Sequence, residues 1–384
     1  MAADGTSTRR PTRVVVTGSE GLIGWHLRSY WHGVDDVEVV GLDRRGFASG
    51  LDDALTGADA LVHLAGMNRG DEAEIEATNI ELTQALIGAL RSGEHRPHVV
   101  FASSTHRDRD TAYGRSKRRS AEALAEWATS SGGRCTEVVW PNVFGEHGRP
   151  FHNSAISTFC HQLAAGETPR VIQDQELDWL HAQRAAEGVD RLLREAGGAA
   201  TIERVDGHRA RVGEVLERLG AMAADYRSGI VPDLAEPFDR DLFNTYRSFL
   251  DPAEFPVRPT LHDDPRGRLF ESVKVRSGGQ CFLSTTEPGA RRGGHYHRRK
   301  FERFLVVEGR ARIRLRRLLH DAVTVYEVDG GSPAWVDMPT LHTHDIENIG
   351  SGPLVTLFWA DEIYDPERPD TMFEPVSDPT EDPP

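Results

Sequence analysis

The sequence predicts a two-part protein, a doubly wound parallel α/β sheet followed by a separate, mostly β domain. Three observations carry this. From Thr12 to about Arg247, short apolar runs alternate with helix-like stretches, the pattern of a parallel sheet with helices on both faces. A proline-rich stretch, DPAEFPVRPTLHDDPRG, then breaks the alternation and reads as a linker or extended arm. Beyond Leu269, strands follow one another without intervening helices. A chain of 384 residues is long for one small domain and suits two.

The first five strands are RVVVTG, VEVVGLD, ADALVHLAG, HVVFASS and TEVVWPN. In the second part, ARIRLRR alternates apolar residues with arginines and predicts a half-exposed antiparallel strand, its arginines outward. The expected boundaries are a disordered leader over 1–11, an α/β domain over 12–250, a linker or arm over 251–268, a β domain over 269–376 and a disordered tail over 377–384.

Composition narrows the function classes. No run of 18 apolar residues is present, which argues against a membrane span. The N-terminal MAADGTSTRRP lacks the apolar stretch of a signal peptide. The three cysteines, Cys135, Cys160 and Cys281, are far apart, odd in number and without metal-like spacing, which points to a reducing cytoplasm. A net charge of −15 argues against non-specific nucleic-acid binding, while leaving room for a local basic pocket that takes a phosphorylated small molecule.

The first strand runs into TGSEGLIG, where Gly18, Gly21 and Gly24 keep the spacing G-x-x-G-x-x-G. Glycines so placed allow a tight turn, close backbone approach to a pyrophosphate and tight packing of the next helix, whose N-terminus faces the negative charge. Plain turns also use glycine. The placement between VVV and an apolar-periodic stretch favours cofactor binding. The second strand ends in GLDRRG: Asp43 suits the ribose hydroxyls of NAD(H), and Arg44 suits the 2′-phosphate of NADP(H). Tyr113 and Lys117 stand four apart, on one helix face. An adjacent ammonium is expected to lower the phenol's pKa and make a proton donor for an alkoxide formed by hydride transfer. Ser104, at the end of the strand before them, could orient a carbonyl.

In the β part, HYHRRKFERFLVVEG places His295 and His297 two apart, so both project from one strand face. The turn RRK lets Glu302 rejoin them from the next strand, and PTLHTHDIEN adds His342 and His344. Imidazoles and a carboxylate converging from separate strands suit a borderline divalent metal, zinc first. A lone His-x-His would read as a polar strand face.

These residues also carry a family resemblance. The glycine loop, Ser104, the Tyr113/Lys117 pair, HLAG (His63 to Gly66) and WPNVFG (Trp140 to Gly145) resemble the extended short-chain dehydrogenase/reductases, with a Rossmann-type fold. That resemblance implies Tyr113 as acid, Lys117 on the cofactor ribose and Ser104 on the substrate oxygen. The spacing Gly289-x5-His295-x-His297-x4-Glu302-x6-Gly309, then Pro339-x4-His344-x3-Asn348, looks like the two motifs of the cupins, small double-sheet barrels. It implies His295, His297, Glu302 and His344 as metal ligands, with His342 lining the pocket or the surface. Lys300 reads equally as an oxyanion stabiliser or a solvated turn lysine.

Both halves together resemble the bifunctional capsule-sugar enzymes of the CapF type, from about Thr12 to Glu374. HLAGMNR, PNVFG, FHNSAISTFC, THDIENIG and DPERPDTMFE add to the likeness. The resemblance implies a cupin domain that epimerises C3 of a UDP-linked 4-keto-6-deoxy-N-acetylhexosamine. It also implies a reductase domain that then reduces the C4 ketone with NADPH, and a homodimer. Arg44 matches the family's adenosine-end arginine and favours NADP(H) over NAD(H), and Asn142 and Asn153 match positions near the substrate. Two departures stand out: Val139 replaces an arginine, and Ala182-Gln183-Arg184 replaces a Val-Asp-Asp segment. They leave open another nucleotide-linked ketosugar from secondary metabolism. An Fe(II) cupin oxygenase and a non-catalytic nucleotide- or metal-binding regulator are the remaining alternatives.

Overall fold

The five apolar runs become five adjacent parallel strands in the computed structural model, which describes residues 10–195, 197–264, 267–270 and 272–377. They are β1 (Thr12–Thr17), β2 (Val37–Leu42), β3 (Ala60–His63), β4 (His98–Ser104) and β5 (Arg134–Trp140). With β8 (Ala200–Arg204) they form one sheet in the order β2-β1-β3-β4-β5-β8. Alternate residues feed two separate cores: Val15, Leu61 and Val99 lie in one, Val14, Val16, Val62 and Val100 in the other. A sheet buried on both faces needs such continuous apolar runs. Helices α1 (Leu22–Trp31), α2 (Arg44–Ser49), α3 (Leu51–Leu55), α4 (Glu72–Ser92), α5 (Ala112–Ser131) and α7 (Ala182–Arg194) complete this unit. A small sheet of β6 (Asn142–Phe144), β7 (Glu176–His181) and β9 (His208–Arg211) accompanies it.

Strand order reverses between β1 and β3. In open α/β sheets the ligand crevice lies at that switch, beyond the carboxyl ends of the strands. The loops after β1 and β3 touch there. Gly18 has φ +70°, and a Cβ on it would lie 2.9 Å from the Ala65 nitrogen. A Cβ on Gly24 would lie 2.4 Å from the Gly18 carbonyl oxygen. Only glycine permits both approaches.

The second unit contains α6 (Ala155–Ala164, from Ile156), α8 (Val212–Arg227), α9 (Pro237–Arg247) and the β region. Its short strands are β10 (Ile230–Val231), β11 (His262–Asp264), β12 (Gly267–Leu269) and β13 (Lys274–Val275). Its two antiparallel sheets have the orders β14-β21-β16-β19 and β18-β17-β20-β15-β22. These strands are β14 (Gln280–Thr286), β15 (Arg291–Tyr296), β16 (Glu302–Glu308), β17 (Arg310–Arg317), β18 (Val323–Asp329), β19 (Trp335–Met338), β20 (His342–Asn348), β21 (Leu354–Ala360) and β22 (Met372–Phe373). Phe304, Ile313, Val336, Ile346 and Phe358 fill the space between the sheets.

The units divide differently from the expected boundary at residue 250. Residues up to Ala155 group with Gln175–Arg211, and Ile156–Asp174 groups with everything from Val212 onward. The reason is a buried polar cluster. The Asp337 carboxylate accepts from the Arg303 guanidinium at 2.7 and 2.9 Å and from the Tyr226 hydroxyl of α8. Phe243 of α9 meets Phe301 edge-on at 5.4 Å. The expected linker is likewise docked: Val257 and Trp335 exchange backbone hydrogen bonds, and β11 pairs with β12.

The outer face of β17 is more covered than expected. Arg314 is buried against Asp345, and Arg316 donates to the Val376 carbonyl and to Glu374. The C-terminal segment lies over this face and takes up the guanidinium donors. Most of the expected leader and tail fall outside the described residues. Among the described residues, no helix is long and apolar enough to cross a membrane.

Gly24→Ala forces a methyl group against the Gly18 carbonyl. The variant is expected to lose about 1–3 kcal/mol in urea unfolding, the usual cost of overpacking. Unchanged stability would show that the glycine loop yields freely.

Candidate active sites

At the carboxyl end of β1 the chain turns through Gly18 and enters α1 with Gly21 as its N-cap. No side chain caps this terminus, so its backbone N–H groups face outward, as a pyrophosphate site requires. Asp43 follows β2 and caps α2, its carboxylate accepting from the Gly46 N–H at 2.7 Å. Arg44 is exposed as the first residue of that helix.

Ser104 ends β4, and its hydroxyl accepts from the His106 N–H at 3.3 Å. Tyr113 and Lys117 share a face of α5, with the Lys117 Nζ 5.6 Å from the Tyr113 ring centre and 4.9 Å from that of Phe101. The expected lowering of the Tyr113 pKa does not occur. Desolvation around the half-buried ring pushes the phenol up to about 12. Lys117 is buried and donates to the Ala102 carbonyl at 2.7 Å. Burial lowers its ammonium to about 8, partly offset by the Glu137 carboxylate. Tyr113 is therefore a neutral phenol at pH 7, the form that can donate a proton.

Two buried polar residues of this unit, Asn79 and Glu146, lie outside the sequence reading. Asn79 of α4 accepts from the Met67 N–H at 2.6 Å and donates to the Met67 carbonyl at 2.8 Å and to Ser116 at 3.1 Å. It pins the loop after β3 to the helix carrying Tyr113 and Lys117. Glu146 is buried between His181, at 3.0 Å, and His26, at 3.8 Å. Gln183, one of the departures, donates to its other oxygen at 3.3 Å. Ala182 and Gln183 thus belong to a packed core at the start of α7. Val139 is buried within β5. Asn142 donates to the Asp178 carbonyl at 3.2 Å, and Asn153 is exposed in the 147–154 segment.

In the β region, His295 on β15 pairs with His344 on β20. His297 follows β15, and Glu302 opens β16 in the other sheet. One ligand atom from each of the four lies within 4.8 Å of the others, the single such group among the described residues. The His297 Nδ1–H donates to the Asp370 carbonyl at 2.5 Å, and the His344 Nδ1–H to the His342 carbonyl at 3.1 Å. Their Nε2 atoms then face one Glu302 carboxylate oxygen, at 3.0 and 3.4 Å. Lone pairs aimed at an anion repel unless a proton or a cation sits between them, so the donor set fits a divalent ion.

Burial raises the Glu302 carboxyl, but its close contacts with His297 and His344 outweigh that and hold the group well below its usual range. Burial, with the neighbouring His344 and His297, lowers His295 to about 3, which keeps its lone pair free. Lys300 is buried, with its Nζ 3.8 Å from Glu302, so it is not a solvated turn residue. His342 is half-buried, bonded to the Thr340 carbonyl and outside the four-residue group. The exposed Phe373 of β22 pairs with His295, its ring 6.5 Å away.

Comparison with known proteins finds relatives for both regions of the chain. Residues 14–203 match the NAD dependent epimerase/dehydratase family, and residues 262–372 match the polysaccharide biosynthesis C-terminal domain. A Pseudomonas aeruginosa protein named UDP-2-acetamido-2,6-beta-L-arabino-hexul-4-ose reductase is 33% identical over 365 residues, covering 94% of this chain and 97% of that one. The crystal structure of the capsular polysaccharide assembling protein CapF from Staphylococcus aureus is 29% identical, with a TM-score of 0.60 over 94% of this chain and 99% of that one. The chain belongs to the CapF-type family. A UDP-N-acetylglucosamine 4-epimerase from Methanobrevibacter ruminantium, 18% identical with a TM-score of 0.54, covers 63% of this chain and 99% of its own, and shows a shared fold.

As a CapF-type protein the chain combines an epimerase/dehydratase-family sheet with an antiparallel β domain, the fold expected from the sequence. The Lys117 ammonium loses its charge as pH rises through about 8. With Lys117 on the cofactor ribose, as the family resemblance implies, nicotinamide cofactor affinity is expected to fall across that range in a fluorescence titration, and Lys117→Arg to move the fall to higher pH. A pH-independent affinity would remove Lys117 from the cofactor site.

Proposed function

We propose that this CapF-type chain is a bifunctional nucleotide-sugar enzyme that makes N-acetyl-L-fucosamine-type precursors for capsule or cell-surface polysaccharide. The β region epimerises C3 of a UDP-linked 4-keto-6-deoxy-N-acetylhexosamine. The N-terminal unit then reduces the C4 ketone with NADPH. The observation that carries the reading is the presence in one chain of a His/His/Glu/His group and a Tyr/Lys pair at a glycine loop. The name of the Pseudomonas relative, a UDP-sugar reductase, supports the second step.

The proton α to a ketone is weakly acidic, and its removal puts charge on the carbonyl oxygen. A divalent ion held by His295, His297, Glu302 and His344, zinc first, would supply Lewis-acid stabilisation of that charge. The buried Lys300 ammonium adds a second positive group beside Glu302. Exchange of the proton between the two faces of C3 inverts the centre. In the N-terminal unit, bound NADPH would supply the hydride. Ser104 holds the carbonyl oxygen, and Tyr113 gives that oxygen its proton. Lys117 holds the cofactor ribose and places positive charge beside the phenol as it ionises. Reduction fixes the new configuration, because the alcohol no longer acidifies C3. Arg44, exposed at the start of α2, takes the 2′-phosphate, while one face of Asp43 is engaged in capping.

The test is NADPH oxidation, followed by absorbance, with the UDP-linked 4-keto sugar. Wild type is expected to consume NADPH in preference to NADH, and Arg44→Ala to erase that preference. Tyr113→Phe is expected to lower turnover by about 10²–10⁴-fold, the range for a general acid. No oxidation with this sugar, but turnover of another nucleotide ketosugar, would replace the substrate and keep the chemistry.

A further inference from the structure

We propose that Asp370 is the positioning residue of the metal centre, an inference that rests on the metal-dependent reading above. It lies 68 or more positions from His295, His297 and Glu302, and no spacing rule marks it. Its backbone carbonyl accepts the His297 Nδ1–H at 2.5 Å. That bond selects the tautomer whose Nε2 lone pair faces Glu302. Its carboxylate accepts three consecutive backbone N–H groups, from Arg298 at 3.2 Å, Arg299 at 3.0 Å and Lys300 at 2.9 Å. These amides form the turn between His297 and Glu302, and the turn carries Lys300.

The arrangement is built rather than incidental. Asp370 is 8% exposed and adopts φ +44°, an unusual conformation for a non-glycine residue. The strand that follows it is registered on the ligand strand, with His295 opposite Phe373 and the Glu374 N–H donating to the Gly294 carbonyl. At the other end of the same loop, Asp361 accepts the next amide of the turn, that of Phe301, at 3.0 Å. Two carboxylates from one loop therefore hold four successive N–H groups, 298 to 301. Groups behind a metal-bound imidazole fix its orientation, and their loss usually costs about 10–100-fold in metal affinity.

The experiment is competition of the full-length chain with a chelator for zinc, alongside melting of the metal-free proteins by circular dichroism. Asp370→Ala and Asp370→Gly are both expected to bind zinc about 10–100-fold more weakly. Asp370→Asn keeps an acceptor oxygen of the same reach and is expected to restore most of the affinity. Cobalt-loaded Asp370→Gly is expected to show an altered visible spectrum, a change that a purely structural role would not produce. Wild-type zinc affinity in both truncated variants, with only the melting temperature lowered, would overturn the inference and leave the metal centre standing. Equal loss in all three variants, with the metal-free Asn form melting early, would overturn it as a folding effect. A wild-type chain that binds no divalent ion would remove the centre and this inference together.

Discussion

A carboxylate buried among imidazoles is the constraint on which the β region depends. Glu302 sits inside the double sheet at 7% exposure. A buried charge is costly unless it is paired and hydrogen-bonded. The surrounding structure meets that demand from two strands and the turn after one of them: His295 on β15, His297 just beyond it, His344 on the neighbouring β20 and Lys300 in the turn. Two backbone carbonyls, of Asp370 and His342, take the far sides of two rings. Each of these choices directs a lone pair or a positive charge toward the same point.

The N-terminal unit solves a related problem with a buried cation. Lys117 is withdrawn from water and anchored to the Ala102 carbonyl, under the rings of Phe101 and Tyr113. Its position depends on α5, which Asn79 ties to the loop after β3. That loop in turn packs against the Gly18 turn so closely that a side chain at Gly18 would collide with Ala65. The glycine loop, the loop after β3 and the Tyr/Lys helix are thus one connected assembly at the switch point of the sheet.

Much of this was legible in the sequence, and the reasons are local. β1 to β5 are visible because strands buried on both faces must be apolar throughout. The His and Glu candidates are visible because strand alternation and a short turn gather them, while the preference for His344 over His342 came from the cupin resemblance and not from spacing. Asn79, Asp370 and Glu146 were not, because their roles rest on partners far away in the chain. The direction of the Tyr113 shift was misread because helical spacing brings Lys117 near but says nothing of desolvation or of the Ala102 carbonyl. The domain boundary was misplaced because α8 and α9 are amphipathic whichever unit they cover. The choice was made by the Asp337–Arg303–Tyr226 cluster.

The central claim is that the Glu302 group labilises a C–H bond beside a ketone independently of the reductase. The most direct measurement is deuterium incorporation at C3 of the UDP-linked 4-keto sugar, in D₂O without NADPH, followed by mass spectrometry and NMR. The account predicts incorporation with wild type and with Tyr113→Phe, and none with Glu302→Gln. Absence of incorporation with wild type, or undiminished incorporation with Glu302→Gln, would contradict it.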